Sequence, residues 1–405
     1  MLRRLDGLSL MNRDDVVDRL ISLASVHGFS IVVAAFALRR LDDIDTWWHL
    51  ASGRWIAQHH AVPYTDVLSF TVRNNEWVNL QWLYDLLLYA IYSLSGASGL
   101  VIASAACFIA TFAILARHLA RTLGPVASTA LLIWVAASVN ERFLIRPEMA
   151  TFPLLAAVQL VVAGGRANPA RLRWLVPLMI LRANTHSLFI LGVAAIVSAI
   201  GGALVAETPI LPESWRRDSA WPEESRRALL RWGRWRSPQR SSTRTRCALV
   251  FPIKLMTRIN GSNSAYAMIG EFHRPFSGFL PTFALGSYQA FILAFAGLAI
   301  VAGWLRATSP RSTPRAAPDD WRRFDVGVLA FVAALAWLSL LARRNIGIFV
   351  IGAVPFVGRA SASSWRAHPS SSGSRSGPRR EPPWWSFSRA PSPSQRWPPP
   401  TAGTQ

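Results

Sequence analysis

Seven stretches of this chain, 20–38, 97–116, 125–139, 148–165, 187–206, 283–304 and 325–342, are apolar over most of the length that about 30 Å of hydrocarbon requires. Shorter apolar runs lie at 174–184, 248–256 and 345–357. A water-soluble core has room for a few such helices, not for seven or more. A backbone in lipid must satisfy its polar groups within its own segment, which selects helices. The expected class is therefore all-α: a polytopic helical membrane protein of roughly eight to ten transmembrane helices, with an acidic and aromatic first outer loop containing interfacial helices. A cleaved signal peptide is the alternative for the first run, which follows a basic N-terminus; it is long for that role and lacks a clear cleavage site.

The net charge of +21 invites a nucleic-acid reading, but its distribution argues against one. Ten arginines against five acids over 207–246, and seven against one over 358–405, supply about half of it. Both stretches are rich in Arg, Pro, Ser, Gly, Ala and Trp, all with GC-rich codons. They read as basic disordered text or as sequence shifted out of frame. No nucleic-acid partner follows, and no protein partner is inferable. Cys107 lies in an apolar span and Cys247 after a basic loop, so no disulfide framework is expected.

Loop charge orients the spans. Arg3, Arg4, Arg13 and Arg19 place the N-terminus, 1–19, in the cytoplasm. The loop 39–96 is then outside, and its aromatic part 76–94, interrupted by Asp85, reads as an interfacial helix. Alternation brings Glu141, Arg142, Arg146 and Glu148 outside, 164–173 inside, and Asn184 and His186 outside. An outward crossing is needed before 270–276; either 248–260 supplies it or a helix is missing from the chain. The organisation expected is an N-terminal transmembrane module over 20–206, a basic loop of doubtful frame over 207–247, a C-terminal module over 248–358 and a disordered tail over 359–405.

Residues 42–56, DDIDTWWHLASGRWI, follow the first apolar run directly. Carboxylates there are costly unless water, a metal or a substrate engages them. With VPYTDVLSFT, EWVNLQWLYDLLLY, RPEMATFPLL, RANTHSLFILG and IGEFHRPFS, this loop resembles a group of bacterial multi-span proteins related to the glycosyltransferase C superfamily, which includes protein mannosyltransferase-like and lipid A aminoarabinose transferase-like enzymes. The resemblance covers about 20–206 and 248–358. It implies a helical fold in the bacterial inner membrane and transfer of a sugar from a polyprenyl-phosphate carrier to an acceptor on the outer face. The chain departs from the pattern at 207–247, where related chains carry an apolar helix ending in an Asn-Pro turn, and in its tail. A transporter or flippase, or a member that has lost activity, are the alternatives.

The chemistry of such a transfer needs a base for the acceptor hydroxyl and positive charge for the phosphate leaving group. Asp43 and Asp45, spaced Asp-x-Asp, are candidates for the base or for ligands of a divalent cation, Mg or Mn; in an extended segment both would share a face. No other cofactor is implied. The plainer reading makes the pair a cap for a helix starting at Thr46. His49 serves to orient a carboxylate or phosphate, or bonds at the interface. Trp47 and Trp48 stack on sugar or lipid, or form an aromatic belt, and Asp42 joins the substrate-binding candidates. Arg146 clamps phosphate or snorkels to headgroups. Asn184 and His186 contact substrate or bond across helices. Glu271 belongs to the site or pairs locally with Arg274. Arg343 and Arg344 lie outside against the positive-inside trend and are candidate ligands of the carrier phosphate. Asp66, after Pro63 and Tyr64, reads as a turn residue.

Overall fold

The computed structural model describes residues 28–119, 122–233, 269–278, 281–308 and 324–365. Within them the regular structure is twelve helices and short 3-10 turns, with one isolated bridge, Thr65 to Glu76, and no strand. In chain order these are α1 Gly28–Ala37, α2 Ile44–His59, α3 Trp82–Leu119, α4 Pro125–Val139, α5 Glu148–Gly165, α6 Leu175–Thr185, α7 Ile190–Val205, α8 Glu213–Ser219, α9 Glu223–Gly233, α10 Phe283–Ala307, α11 Val326–Leu341 and α12 Ile346–Trp365.

Among the described residues, four helices are long and apolar enough to cross a membrane: Trp82–Leu119, Glu148–Gly165, Ser187–Val205 and Phe283–Ala307. Each matches an expected span. Among the described residues fewer reach that length than the eight to ten expected, because polar turns cut some runs early and the runs at 20–27 and 248–256 lie outside those residues. Pro125 opens α4 and the turn at Asn140 ends it after 15 residues, while the turn at Arg343 follows α11 after 16. Residues 1–27, 234–268 and 366–405 lie outside the described ones, and with them the expected cytoplasmic N-terminus, the short crossing at 248–260 and most of the tail, whose first residues 359–365 are helical as the end of α12. The stretch 213–233, expected to be part of a basic loop, is mostly helical: α8 and α9 bury Asp218, Ser219, Ser225 and Leu229.

The expected interfacial helix and the following span are one continuous helix by hydrogen bonding, α3, broken at Gly96. Gly96 has φ of 61° and ψ of −158°, a conformation that a Cβ makes very costly. The break lets the aromatic first part turn away from the apolar second part. Packing centres on α12, whose residues from Ile346 to Ala360 are buried almost all round, as expected of a helix apolar on every face. Phe349 meets Phe295 edge-on at 5.3 Å and Phe291 at 5.9 Å. Gln159 Nε2 donates to the Gly352 carbonyl at 2.8 Å. Lipid offers no hydrophobic gain for bringing helices together, so close backbone approach through small residues matters more. Gly202 of α7 and Gly327 of α11 meet that way; a Cβ on Gly202 would stand 2.6 Å from the Gly327 backbone. The outer faces are apolar as well: Ile102, Val197, Leu293, Ile300, Trp304 and Trp337 are exposed, as a lipid-facing surface requires.

Polar residues collect at two ends of the bundle. At one end Arg166, 6% exposed, donates to Asp325 Oδ2 at 2.7 Å and to the carbonyls of Asp218 and Ser219. Its guanidinium also lies over the Trp221 ring. Arg306 donates to both oxygens of Asp218 at 2.6 and 2.8 Å. Asp325 meanwhile caps α11 through the amides of Gly327 and Val328. This lock binds α8, and with it 213–233, to α5, α10 and α11. Asp325→Asn keeps the capping oxygen and removes the charge facing Arg166, with an expected cost of about 3 kcal/mol for a broken buried pair. Asp325→Ala loses the cap as well and costs about 1 kcal/mol more. Thermal unfolding in detergent should rank wild type above Asn above Ala; equal midpoints for wild type and Asn would remove the lock from the account.

Candidate functional site

The other polar end gathers the segments that the topology had placed together. Asp43 is the N-cap of α2: its backbone is extended, with φ −79° and ψ 116°, and its side chain accepts from the Asp45 amide. The helix therefore starts at Ile44, two residues before the expected Thr46. Asp43 is extended and Asp45 sits in the first helical turn, so the two carboxylates do not share one strand-like face. They meet instead at a single guanidinium. Arg146 Nε donates to Asp43 Oδ2 at 2.6 Å and Nη2 to Asp43 Oδ1 at 2.9 Å, with Asp45 Oδ2 3.0 Å from the same Nη2.

The network spreads from there. Arg146 Nη1 reaches Glu271 Oε2 at 3.3 Å, and Arg142 Nη1 reaches the same oxygen at 2.8 Å. Arg142 also holds the buried Glu148 through Nε and Nη2. Arg344 stands 3.8 Å from Glu148 Oε1 and 3.8 Å from Glu271 Oε1, with its guanidinium over the Phe272 ring. Arg343 pairs with Glu141 at 3.3 Å, and its amide donates to the His273 carbonyl. Glu271 thus takes three arginines from distant segments, and the expected local pair with Arg274 is not among its ion pairs. Thr46 Oγ1 donates to the Ile145 carbonyl at 3.2 Å, which fixes α2 against the 140–147 turn.

Burial alone would raise the Asp43 carboxyl. The hydrogen bonds and charge of Arg146 outweigh it and hold Asp43 below the usual carboxylate range. Burial would likewise ease the proton off Arg146, but Asp43, Glu271 and Asp45 raise its affinity for that proton. Burial pushes His186 down to about 3, so its ring is neutral where its Nδ1 meets Thr151 Oγ1 at 2.7 Å. Asn184 Oδ1 accepts from Trp82 Nε1 at 2.9 Å, joining α6 to the first part of α3. Both residues make the cross-helix bonds expected as one of their two readings.

The remaining candidates sit at the rim. Asp42 is exposed. Trp47 and Trp48 are about half exposed, at 49% and 50%, and Trp47 meets Tyr92 edge-on. Asp66 is the turn residue its context indicated, accepting from the Leu68 and Ser69 amides and from Ser69 Oγ. His49 Nδ1 lies 2.8 Å from Asp85 Oδ1. Asp85, Ser52, Asn79, Arg142 and Glu148 were not picked out as site residues, although a carboxylate inside the aromatic run 76–94 was a signal for the first of them.

A divalent cation on Asp43 and Asp45 does not fit this arrangement. Both Asp43 oxygens are taken by Arg146, and among the described residues no three His, Cys, Asp or Glu side chains form a group able to hold a metal. No family model, curated protein or solved structure matches the chain.

The Asp43 clamp predicts a pH dependence. A carboxylate whose folded pKa is depressed contributes stability above its ordinary value, near 3.8, and loses it as pH falls through the lower folded value. Asp43→Asn should melt below wild type at neutral pH, with the gap closing as pH drops below about 4. Thermal melts of both proteins across that range check this; a gap that persists in acid would assign the loss to capping geometry instead of charge.

Proposed function

We propose that the chain is a membrane glycosyltransferase that moves a sugar from a polyprenyl-phosphate carrier to an acceptor hydroxyl on the outer face of a bacterial inner membrane. Arg344 carries this reading. Its two ion pairs, each at 3.8 Å, are too long for hydrogen bonds. Its donors are therefore held near charge without being spent on it. A phosphate is a ligand that such a fork holds bidentately. The half-exposed Trp47 and Trp48 suit the headgroup level where a lipid carrier would present its phosphate.

The chemistry follows from the charge layout. The acceptor oxygen attacks the anomeric carbon, the bond from that carbon to the phosphate oxygen breaks, and the electron pair leaves with the polyprenyl phosphate. Arg344, backed by Arg142 and Arg146, stabilises the departing charge. Asp43 holds Arg146 in place. Asp45 and His49, one helical turn apart on α2, are the two candidates for taking the acceptor's proton.

The orientation has its own test. Ala51 on α2 and Ala167 beyond α5 are exposed at opposite polar ends. In a cysteine-free background, Ala51→Cys should label from outside intact cells and Ala167→Cys only after permeabilisation. Labelling of both from one face would end the one-sided arrangement.

The chemical test is Arg344→Ala. Transfer from a synthetic polyprenyl-phosphate hexose should fall by about a hundredfold, the scale of one lost transition-state donor. Arg344→Lys should recover only part of it, since a point charge replaces the fork. Wild-type turnover in Arg344→Ala would remove the phosphate role.

A further inference from the structure

Helices α2 and α3 approach so closely that a Cβ on Gly53 would stand 2.0 Å from the Asp85 carbonyl oxygen. That contact sets the Asp85 side chain, 1% exposed, beneath α2. Three groups converge on it. His49 Nδ1 lies 2.8 Å from Oδ1, and Ser52 Oγ and Asn79 Nδ2 donate to Oδ2 at 2.7 and 3.0 Å. Asn79 Nδ2 also donates to Ser52 Oγ at 3.0 Å, which leaves the serine proton to point at the carboxylate.

This geometry decides the tautomer of His49. A carboxylate that already receives two donors on one oxygen is an acceptor at the other. The imidazole proton therefore sits on Nδ1, and Nε2 carries the lone pair. The Tyr84 ring, edge-on to the imidazole at 5.3 Å, limits its rotation. The His49 side chain keeps 12% of its surface exposed, and its Nε2 is not among the buried polar atoms that lack a partner. Asp43, the cap of the same helix, binds Arg146, and Arg146 shares Glu271 with Arg344, which puts His49 at the same end of the bundle as the arginines.

We propose that His49 is the catalytic base of the transfer and that Asp85 is its positioning residue. The inference rests on the glycosyl-transfer reading above and names the group that takes the proton. Asp43 is ill suited, with both oxygens bound by Arg146, and Asp45 shares that guanidinium. In the step, Nε2 of His49 accepts the hydroxyl proton as the new bond from oxygen to the anomeric carbon forms. The old bond to phosphate breaks, and its electron pair leaves on polyprenyl phosphate. The imidazolium then returns its proton to water. Asp85 holds the tautomer and offsets the transient positive charge, as the buried aspartate does in serine-protease triads.

The test has two arms on the full chain in lipid nanodiscs. The first reads the tautomer without turnover. Diethyl pyrocarbonate acylates an unprotonated ring nitrogen, and mass spectrometry locates the product. Asp85→Asn can donate its amide to Nδ1 and move the ring proton to Nε2, so acylation of His49 should slow by about tenfold. Acylation of His59, an exposed residue stacked on Trp55, should not change, which controls for reagent dose, and a thermal midpoint close to wild type reports that the variant is folded. Asp85→Glu should restore part of the rate. Unchanged His49 acylation in Asp85→Asn would overturn the dyad.

The second arm uses the synthetic polyprenyl-phosphate hexose. His49→Ala should lower kcat by about a hundredfold or more with KM for the donor little changed. Added imidazole should rescue it, and should not rescue Asp45→Asn; His59→Ala should turn over as wild type. Full turnover by His49→Ala beside an active wild type would overturn the base assignment and leave the transfer reading standing. Absence of transfer by wild type would overturn the transfer reading and the base assignment together, with the acylation arm still deciding whether Asp85 sets the His49 tautomer.

Discussion

The Arg146 guanidinium is the point at which separate parts of the chain become one polar surface. It takes Asp43 from a position 103 residues away and Glu271 from one 125 residues away. Charges beside an apolar bundle are stable only when paired and hydrogen-bonded, because removing an ion from water costs several kcal/mol. Arg146 therefore has little freedom to sit anywhere else, and neither do its partners. Glu271, shared with Arg142 and Arg344, extends the same constraint to the turn before α12. The cap of α2, the turn between α4 and α5, and the 270–272 turn are mutually fixed before any substrate is considered.

The bundle beneath explains why the charges lie only at its ends. The interior along α12 is filled by Phe, Ile and Val side chains, and Gln159 donates to one of its carbonyls. Two polar ends result. At one, Arg166, Arg306, Asp218 and Asp325 satisfy each other, and the segment 213–233 is held there as part of the fold. The other contains groups whose partners are long or absent on one side, among them Arg344 and the Nε2 side of His49. A site needs that incompleteness, since a fully satisfied network has nothing left to offer a ligand.

Much of this was legible in hydropathy and loop charge. The helices at 97–119, 148–165, 190–205 and 283–307 follow from apolar runs, and the meeting of Asp43, Arg146, Asn184 and Glu271 at one end agrees with alternation along the chain. Composition misled over 213–233. Arginine-rich text looks like a loop, yet Asp218, Ser219 and Ser225 bury their polar groups on partners far away in sequence. Asp85 was visible only as an interruption, because two of its three partners, His49 and Ser52, come from α2.

The sequence by itself determined the all-helical class and where the long apolar helices lie. These are properties of local runs: apolar length, capping residues and charge near span ends act over a few residues at a time. Only the tertiary structure decided that Asp43 is a cap bound by arginine, that Asp45 shares its partner, and that Asp85 holds the Nδ1 side of His49. Pairing is a long-range choice. The same carboxylate serves as base, cap or counter-ion according to which donor the packed helices bring within 3 Å, and no local pattern carries that information.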